Sequence, residues 1–225
     1  MLKFLVQTCW KYRDAWGPFW GTYDKFWKRK DIVPILLTDK FDKAWGWRGE
    51  VMSLENDIGF SKMIVAAMDI IDNPVLYMLE DHFLQAEPDF QYIDMAVREM
   101  EKNPKIGCWR MMPCPGPDVD CAYEGTGIIN QFAPYRVSCS AAIWNPKIMK
   151  AIAEKTGDPW DFEIRGTGIA AEIDSIFYSV KRERTPWPIQ NFLTGISRGK
   201  WDKLALAYLK KWEIPVDLSL RPILD

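Results

Sequence analysis

Short apolar runs alternate with amphipathic segments along this 225-residue chain, and that alternation restricts the fold more than any other feature. The runs at residues 2–9, 32–38 and 75–79 have the length and composition of buried strands. Residues 14–28 carry aromatic side chains at helical spacing, which predicts an amphipathic helix. Because strands that alternate with helices build a largely parallel sheet covered by helices, we predict an α/β fold.

The rest of the chain continues this alternation up to its last residues. Capping and breaking residues place the remaining elements: helices at about 62–71, capped by Ser61, and at 89–103, 146–155, 169–180 and 201–212, and strands at 105–112, 136–144 and 191–196. No internal repeat, low-complexity segment or linker interrupts the pattern. We therefore predict one domain, residues 1–225.

The composition excludes several classes of protein. Apolar residues make up 48% of the chain and charged residues 27%, which is typical of a globular protein. No apolar run reaches the ~18–20 residues that span a bilayer, and the net charge of −2 does not indicate a nucleic-acid partner. Five cysteines without a C-x-x-C pair and a single histidine argue against structural zinc. Free thiols in a reducing cytoplasm are the expectation.

A cluster of titratable side chains follows the third predicted strand. Glu80, Asp81 and His82 come directly after the apolar run 75–79. Ligands of open α/β sheets bind beyond the carboxyl ends of the strands, and carboxylate oxygens suit a divalent cation. These residues are candidate metal ligands. The alternative is that the carboxylates cap a turn or helix and that His82 is a hydrogen-bonded structural residue.

The loop after the first strand is a second candidate for ligand binding. Trp10 or Tyr12 could stack on a base, and Lys11 or Arg13 could contact phosphate. The alternative is a loop that only starts the following helix.

The segment Pro-Trp-Asp-Phe-Glu at residues 159–163 combines a helix start with an unexplained acid. Asp158 and Asp161 fit the positions of an N-cap and its capping box, which predicts structural roles. Glu163 lies beyond the capping box. Partial desolvation beside Trp160 and Phe162 would suit Glu163 to act as a general base, and the tryptophan could stack on a sugar ring.

Six motifs in order resemble the small GT-A-type glycosyltransferases found in bacterial polysaccharide clusters and in phage or large-virus genomes. They are T-C-W-K-Y-R-D-A-W-G-P-F (8–19), G-F-S-K (59–62), V-L-Y-M-L-E-D-H-F (75–83), R-V-S-C-S-A-A-I-W (136–144), P-W-D-F-E (159–163) and S-R-G-K-W (197–201). The resemblance covers most of the chain. It implies a GT-A-like fold with a Rossmann-like donor half, about 1–112, and an acceptor half, about 113–225.

The resemblance also implies an activity and a set of site residues. The donor would be a nucleotide-diphosphate sugar, taken as a UDP-sugar, with Mn²⁺ or Mg²⁺ at Glu80, Asp81 and His82. Glu163 would be the base of an inverting transfer, with Asp161 as a second catalytic acid. The residues assigned to the donor are Thr8, Trp10, Lys11, Tyr12, Asp39, Ser61, Lys62, Arg198 and Lys200, and those assigned to the acceptor are Trp144 and Trp160. Arg198 and Lys200 belong to a C-terminal segment that would close over the diphosphate.

Two alternatives to transfer onto a glycan hydroxyl are open at this point. Phage-type relatives could modify a hydroxylated base in DNA, with the basic clusters 25–30 and 181–184, together with Trp27 and Trp187, as the DNA-facing patch. A catalytically degenerate, sugar-binding module is the second alternative, because Trp10 stands where the family carries an acid. A retaining mechanism applies if no base lies near the acceptor.

Overall fold

One mixed sheet of nine strands organises the part of the chain that the computed structural model describes, residues 2–224. The strands are β1 (Lys3–Gln7), β2 (Pro34–Thr38), β3 (Glu50–Ser53), β4 (Val75–Leu79), β5 (Ile106–Arg110), β6 (Val119–Asp120), β7 (Thr126–Ile128), β8 (Ala142–Trp144) and β9 (Ile176–Val180). Their order is β3-β2-β1-β4-β8-β5-β9-β7-β6. All run in one direction except β7 and β8, so the predicted α/β class with a mainly parallel sheet is confirmed.

Helices cover both faces of the sheet. They are α1 (Trp16–Phe26), α2 (Phe60–Met68), α3 (Phe90–Lys102), α4 (Pro146–Ala153), α5 (Pro159–Glu172) and α6 (Lys203–Lys211). Helices α1, α3 and α6 share one hydrophobic core, and α2, α4 and α5 share the other. Within residues 2–224, no helix has the length and apolar character needed to cross a membrane.

The two central strands contribute to both cores because their side chains alternate between the faces. In β1, Phe4 and Val6 pack into the first core and Leu5 into the second. The neighbouring strand β4 lies parallel to β1, with Gln7 opposite Leu79. Both strands therefore end at the same edge of the sheet, and the residues that follow them meet there.

The sequence patterns locate most elements within a few residues. The predicted strand 75–79 matches β4, the predicted helix 89–103 contains α3 with Asp89 as its N-cap, and the predicted helix 14–28 contains α1. The predicted helix 169–180 is wrong. Its first residues are the end of α5 and its last residues are strand β9. The predicted strand 191–196 is also largely wrong, because only Ile196 lies in a named strand, β10 (Ile196–Ser197).

The predicted strand 136–144 is formed only at its end, as β8. Backbone N–H groups of the earlier residues donate to side chains of α5 and not to a neighbouring strand. The N–H of Val137 donates to Thr167 Oγ1 at 3.0 Å, and the N–H of Cys139 donates to Glu163 Oε1 at 2.7 Å. With these donors satisfied outside the sheet, the segment 136–141 runs irregularly over α5.

The C-terminal segment folds back onto the first loop. A small hairpin of β10 and β11 (Lys200–Trp201) precedes α6, and Arg221 then returns to the start of the fold. The Arg221 guanidinium donates to both carboxylate oxygens of Asp14 at 2.7 Å and lies 4.4 Å from the Tyr12 ring centroid. Trp201 Nε1 also donates to Asp14. This buried ion pair fixes the C-terminal segment beside the loop after β1.

Candidate active site

A cavity of about 470 Å³ lies where β1 and β4 end. Its walls also include the N-terminal ends of α2 and α5 and the segment Leu193–Ile196. Thr8, Cys9 and Tyr12, in the loop after β1, line one side. We call it the strand-end cavity. Its volume falls in the range of small-molecule binding sites, ~300–1,000 Å³, and its position follows the rule for ligands of α/β sheets.

Glu80 and Asp81 enter the strand-end cavity directly from the end of β4. Both are buried, and burial raises the pKa of Glu80 well above its usual value, with a further contribution from the charge of Asp81. Asp81 Oδ2 accepts hydrogen bonds from Thr194 Oγ1 and from the N–H groups of Gly195 and Ile196, at 2.9–3.1 Å. Asp81 therefore also clamps the segment that forms the opposite wall.

His82 does not join these carboxylates, contrary to the prediction of a three-residue metal site. Its ring is buried, Nδ1 accepts the N–H of Leu79 at 3.3 Å, and burial lowers its pKa. A further hydrogen bond links the ring to the backbone of Leu193. Across residues 2–224, no group of three or more His, Cys, Asp or Glu side chains is arranged to hold a metal ion.

The remaining donor set of two carboxylates fits one kind of cation site. Mg²⁺ in enzymes commonly uses one or two protein carboxylates and completes its shell with water and substrate phosphates. Glu80 and Asp81 supply the hard oxygen ligands that such a site requires. Within the described chain, no lysine or arginine lines the strand-end cavity, whereas Asp57 and Asp158 add two further carboxylates. An anionic ligand there needs a positive counter-charge.

The other residues predicted to bind the donor are divided between the cavity and the scaffold. Thr8 and Tyr12 line the strand-end cavity. Trp10 instead packs against Trp16 and Trp45, and its N–H donates to the Asp39 carboxylate, so this pair ties together the loops after β1 and β2. The assignment of Trp10 and Asp39 to the donor is not supported by this packing.

Ser61 and the predicted basic contacts also lie outside the cavity lining. Ser61 is buried and bonds to Thr156 Oγ1 at 2.9 Å, which makes it a packing residue of α2 and not a ligand contact. Lys11 and Lys62 are exposed. Arg198, with φ of 51°, and Lys200 belong to the β10–β11 hairpin, which begins at the cavity-lining residue Ile196.

A second cavity, of about 530 Å³, contains Glu163 and is called the Glu163 cavity. It is lined by Met112, Pro113, Cys114, Pro115, Tyr135, Ser138, Glu163, Arg182, Trp187 and Leu193. Leu193 also lines the strand-end cavity, so the two cavities adjoin at this side chain. Burial raises the pKa of Tyr77, on β4, well above its usual value, with smaller contributions from Cys139, Glu80 and Glu163. The carboxylates of the two cavities thus lie within electrostatic range of one hydroxyl.

Among the acids of the 158–163 segment, only Glu163 faces the Glu163 cavity. Asp158 Oδ1 accepts the N–H of Asp161, and Asp161 Oδ2 accepts the N–H of Gly157 and pairs with Arg165. This reciprocal capping arrangement agrees with the structural reading of both aspartates. The assignment of Asp161 as a catalytic residue is not supported by this arrangement, because its carboxylate is used by the helix start.

Neither tryptophan assigned to the acceptor lines the Glu163 cavity. Trp144 is fully buried between Phe162 and Phe177, so no acceptor reaches it and that assignment is wrong. Trp160 is 67% exposed on α5 and contributes to neither cavity wall. It therefore does not enclose Glu163 as predicted.

The proposed DNA-facing patch is not assembled as one basic surface. Trp27 is fully buried, Arg29 pairs with Asp31 and Asp94, and Lys181 pairs with Asp120. Arg184 is paired with Asp89. Of the three cations in 181–184, only Arg182 lines the Glu163 cavity, together with Trp187.

Several residues of both cavities carry no recognisable signal in the sequence. Asp57, whose Oδ1 accepts the N–H of Gly59, and the segment 193–196 reach the strand-end cavity only through tertiary folding. Tyr135 and Ser138 reach the Glu163 cavity through the irregular segment that α5 holds. Cys9 lines the strand-end cavity, and burial raises the pKa of its thiol to about 11, which keeps it protonated and unreactive near neutral pH.

Comparisons with known proteins give matches only among solved structures. No protein-family model matches the chain, and no curated protein matches it. A crystal structure of S. aureus TarS is similar at a TM-score of 0.48 and 14% identity, over 81% of this chain and 35% of that one. A structure of S. aureus TarS 1–349 is similar at 0.46 and 12% identity, over 80% and 60%. The chain thus spans less than two thirds of either protein.

Proposed function

We propose that this protein is a glycosyltransferase that moves a sugar from a nucleotide-diphosphate sugar to an acceptor hydroxyl. The observation that carries the proposal is the pair of cavities that adjoin at Leu193, one with Glu80 and Asp81 and the other with Glu163. A transfer reaction needs two substrates side by side, with a leaving group stabilised on one side and a base on the other. The six family-like motifs agree with this division.

In the proposed reaction, the nucleotide and diphosphate occupy the strand-end cavity and the sugar lies near Leu193. Tyr12 and Thr8 contact the nucleotide. Glu80 and Asp81 would hold Mn²⁺ or Mg²⁺, whose charge, when bound, stabilises the departing diphosphate. Arg198, on the hairpin tip that follows Ile196, adds positive charge on the open side of the cavity.

Glu163 acts on the acceptor in the adjoining cavity. Its carboxylate takes the proton of the acceptor hydroxyl while the new bond forms from that oxygen to the anomeric carbon. The bond between the anomeric carbon and the diphosphate oxygen breaks, and the nucleoside diphosphate leaves with the electron pair. Attack from the face opposite the leaving group inverts the anomeric configuration. The N–H of Cys139 holds Glu163 Oε1 in place for this step.

Nucleotide binding is tested first, without any assumption about the acceptor. Nucleoside diphosphates are screened by thermal shift with and without Mn²⁺, since a ligand of the native state raises the melting temperature. We expect UDP with Mn²⁺ to give the largest shift, and Glu80→Gln to reduce it. The matched control is Glu87→Gln, which neutralises an exposed acid outside both cavities. No shift with any nucleotide would refute the assignment of the strand-end cavity.

The proposed role of Glu163 as the base is tested by measuring sugar transfer. Glu163→Gln retains an oxygen for the N–H of Cys139 but removes the proton acceptor, so we expect sugar transfer to fall by about 10²–10⁴-fold with the nucleotide shift unchanged. Glu172→Gln, an exposed acid of the same helix, should transfer at the wild-type rate. Nucleotide binding by the wild type with neither transfer nor hydrolysis would instead identify the degenerate binding module.

A further inference from the structure

Unlike the strand-end cavity, the Glu163 cavity has a cation, Arg182, among its lining residues, together with one acid, Glu163. Among residues 2–224, no carboxylate lies within ion-pair distance of the Arg182 guanidinium. Two nearby acids, Asp118 and Asp120, have other partners. Asp120 pairs with Lys181, and Asp118 Oδ2 accepts the N–H of Asn130. The positive charge of Arg182 is therefore available to a ligand.

A second cation lies directly beneath this cavity. Arg110, at the end of β5, is fully buried and donates to the backbone carbonyls of Pro115, Tyr135 and Arg136. Pro115 and Tyr135 line the cavity, so the guanidinium lies directly behind two residues of the cavity wall. No carboxylate within the described residues forms an ion pair with Arg110, and its Nε lacks a hydrogen-bond partner. Arginine stays protonated even when buried, and its charge adds to that of Arg182.

An aromatic side chain lies beside the exposed cation. Trp187 is half-buried, lines the same cavity, and its Nε1 donates to the carbonyl oxygen of Arg182 at 3.5 Å. A flat indole and a guanidinium that line one cavity suit a ligand that presents a ring and an anionic group together. Glu163 is the single acid among the lining residues and marks where the reacting hydroxyl would lie.

We propose that the acceptor is an acidic sugar unit, with its phosphate or carboxylate bound by Arg182 and its ring on Trp187. The inference rests on the proposed function and specifies its acceptor. The anion pairs with the Arg182 guanidinium while the hydroxyl of the same or the adjoining sugar points to Glu163. A neutral sugar would leave Arg182 without an ion-pair partner.

The binding test does not require turnover. Cys114 lines the Glu163 cavity, so its alkylation, followed by peptide mass spectrometry, reports whether the cavity is occupied. We expect glucose 6-phosphate or methyl glucuronide to protect Cys114 at concentrations at least tenfold lower than methyl glucoside does. Comparison of the phosphate and carboxylate probes identifies which anion is preferred. Equal protection by the neutral glycoside, or stronger protection by UDP than by either acidic sugar, overturns the proposal.

The kinetic test uses matched variants of neighbouring cations. Arg182→Gln should raise KM for the acidic acceptor by about 10–100-fold, since a charge-assisted hydrogen bond is lost, and Arg182→Lys should recover part of it. Lys181→Gln removes the same charge one residue away, where Asp120 already neutralises it, and should leave KM unchanged. Hydrolysis of the nucleotide sugar in water by Lys181→Gln should equal that of the wild type.

These outcomes separate the inference from the proposed function. If the donor is hydrolysed but acidic and neutral acceptors are used equally, the acidic acceptor is refuted and the glycosyltransferase remains. If no donor is turned over, the function itself fails, whatever protects Cys114. Efficient transfer to duplex DNA, with binding that weakens steeply as salt is raised, would replace the acidic sugar by the DNA acceptor.

Discussion

At Glu80, the requirements of stability and of ligand binding oppose each other. Burial and the charge of Asp81 raise the pKa of Glu80 well above its ordinary value of 4.5 in the folded protein, whereas the unfolded chain ionises it near that value. Its contribution to stability is present below that value and is lost as the pH rises through the folded pKa. Retaining an acid at this position therefore costs stability near neutral pH, which suits a group kept for a ligand.

Replacing Glu80 by glutamine should stabilise the protein in metal-free buffer. The amide cannot ionise, so we expect its melting temperature to exceed that of the wild type by several degrees at pH 7, and the difference to shrink toward pH 4. For a chain of this size, ~1 kcal/mol corresponds to about 2–4 °C. Thermal melts between pH 4 and 8 in chelator measure this. A variant less stable than the wild type at every pH would show that Glu80 is structural.

Single residues also show where patterns mislead. One tryptophan ends the 136–144 motif and another lies in the 159–163 motif, but the sequence does not show which of the two side chains is accessible to a ligand. Trp144 is fully buried and Trp160 is largely exposed. The difference depends on how α5 packs over β8, which no local pattern records.

At the scale of elements, helix α5 determines the shape of the segment that precedes β8. Thr167 Oγ1 accepts the N–H of Val137 and Glu163 Oε1, one turn earlier in the helix, accepts the N–H of Cys139, so α5 holds the segment at two successive turns. Ser138 then accepts the N–H of Ser140. The segment lines the Glu163 cavity through Ser138 and Tyr135 only because it is kept out of the sheet.

Thr167→Val should loosen this segment without disturbing the strand-end cavity. The valine keeps the shape but leaves the N–H of Val137 without its acceptor, which costs about 1–3 kcal/mol. We expect faster hydrogen exchange at residues 137–139 and an unchanged nucleotide-dependent thermal shift. Thr167→Ser keeps the hydroxyl and should exchange like the wild type. Unchanged exchange in the valine variant would mean that other contacts hold the segment.

The sequence correctly predicts those elements whose position and type are determined by residues within the element itself. The alternation in β1 and β4, the aromatic spacing of α1 and the Asp89 cap of α3 are local. No glycine or proline marks the boundary between α5 and β9, and Ile173-Asp174-Ser175 continues a helical pattern. The predicted helix 169–180 therefore extends across the end of α5 into β9. The wall at 193–196 depends on Asp81, 113 to 115 residues earlier, and could not be predicted.

At the scale of the molecule, the ion pair between Asp14 and Arg221 joins parts of the chain 207 residues apart. Both side chains are almost fully buried, and Trp201 donates a further hydrogen bond to Asp14. Arg221 also donates to the carbonyl of Lys11 and covers one face of Tyr12. The wall of the strand-end cavity that carries Tyr12 is thus supported by the C-terminal segment.

Arg221→Met should destabilise the protein strongly, since removing one partner of a buried pair costs ~3–5 kcal/mol. Urea unfolding measures the loss, and affinity for UDP with Mn²⁺ should fall because Tyr12 loses its support. The double variant Asp14→Leu/Arg221→Met should lose less than the sum of the single changes. Arg48→Met breaks an exposed pair with Asp24 and should cost below ~1 kcal/mol. Equal losses in the two arginine variants would contradict this account.

The Asp14–Arg221 pair also determines when, during translation, the loop after β1 can become anchored. The loop carrying Tyr12 is translated about 200 residues before the guanidinium that secures it, because Asp14 and Arg221 are 207 residues apart. Nascent chains fold from the N-terminal side as they emerge, so β1 and β4 can assemble while that loop still lacks its anchor. A chain stalled on the ribosome before residue 221 would therefore carry a sheet whose strand-end cavity is unfinished, and that cavity would be completed only after Arg221 has emerged.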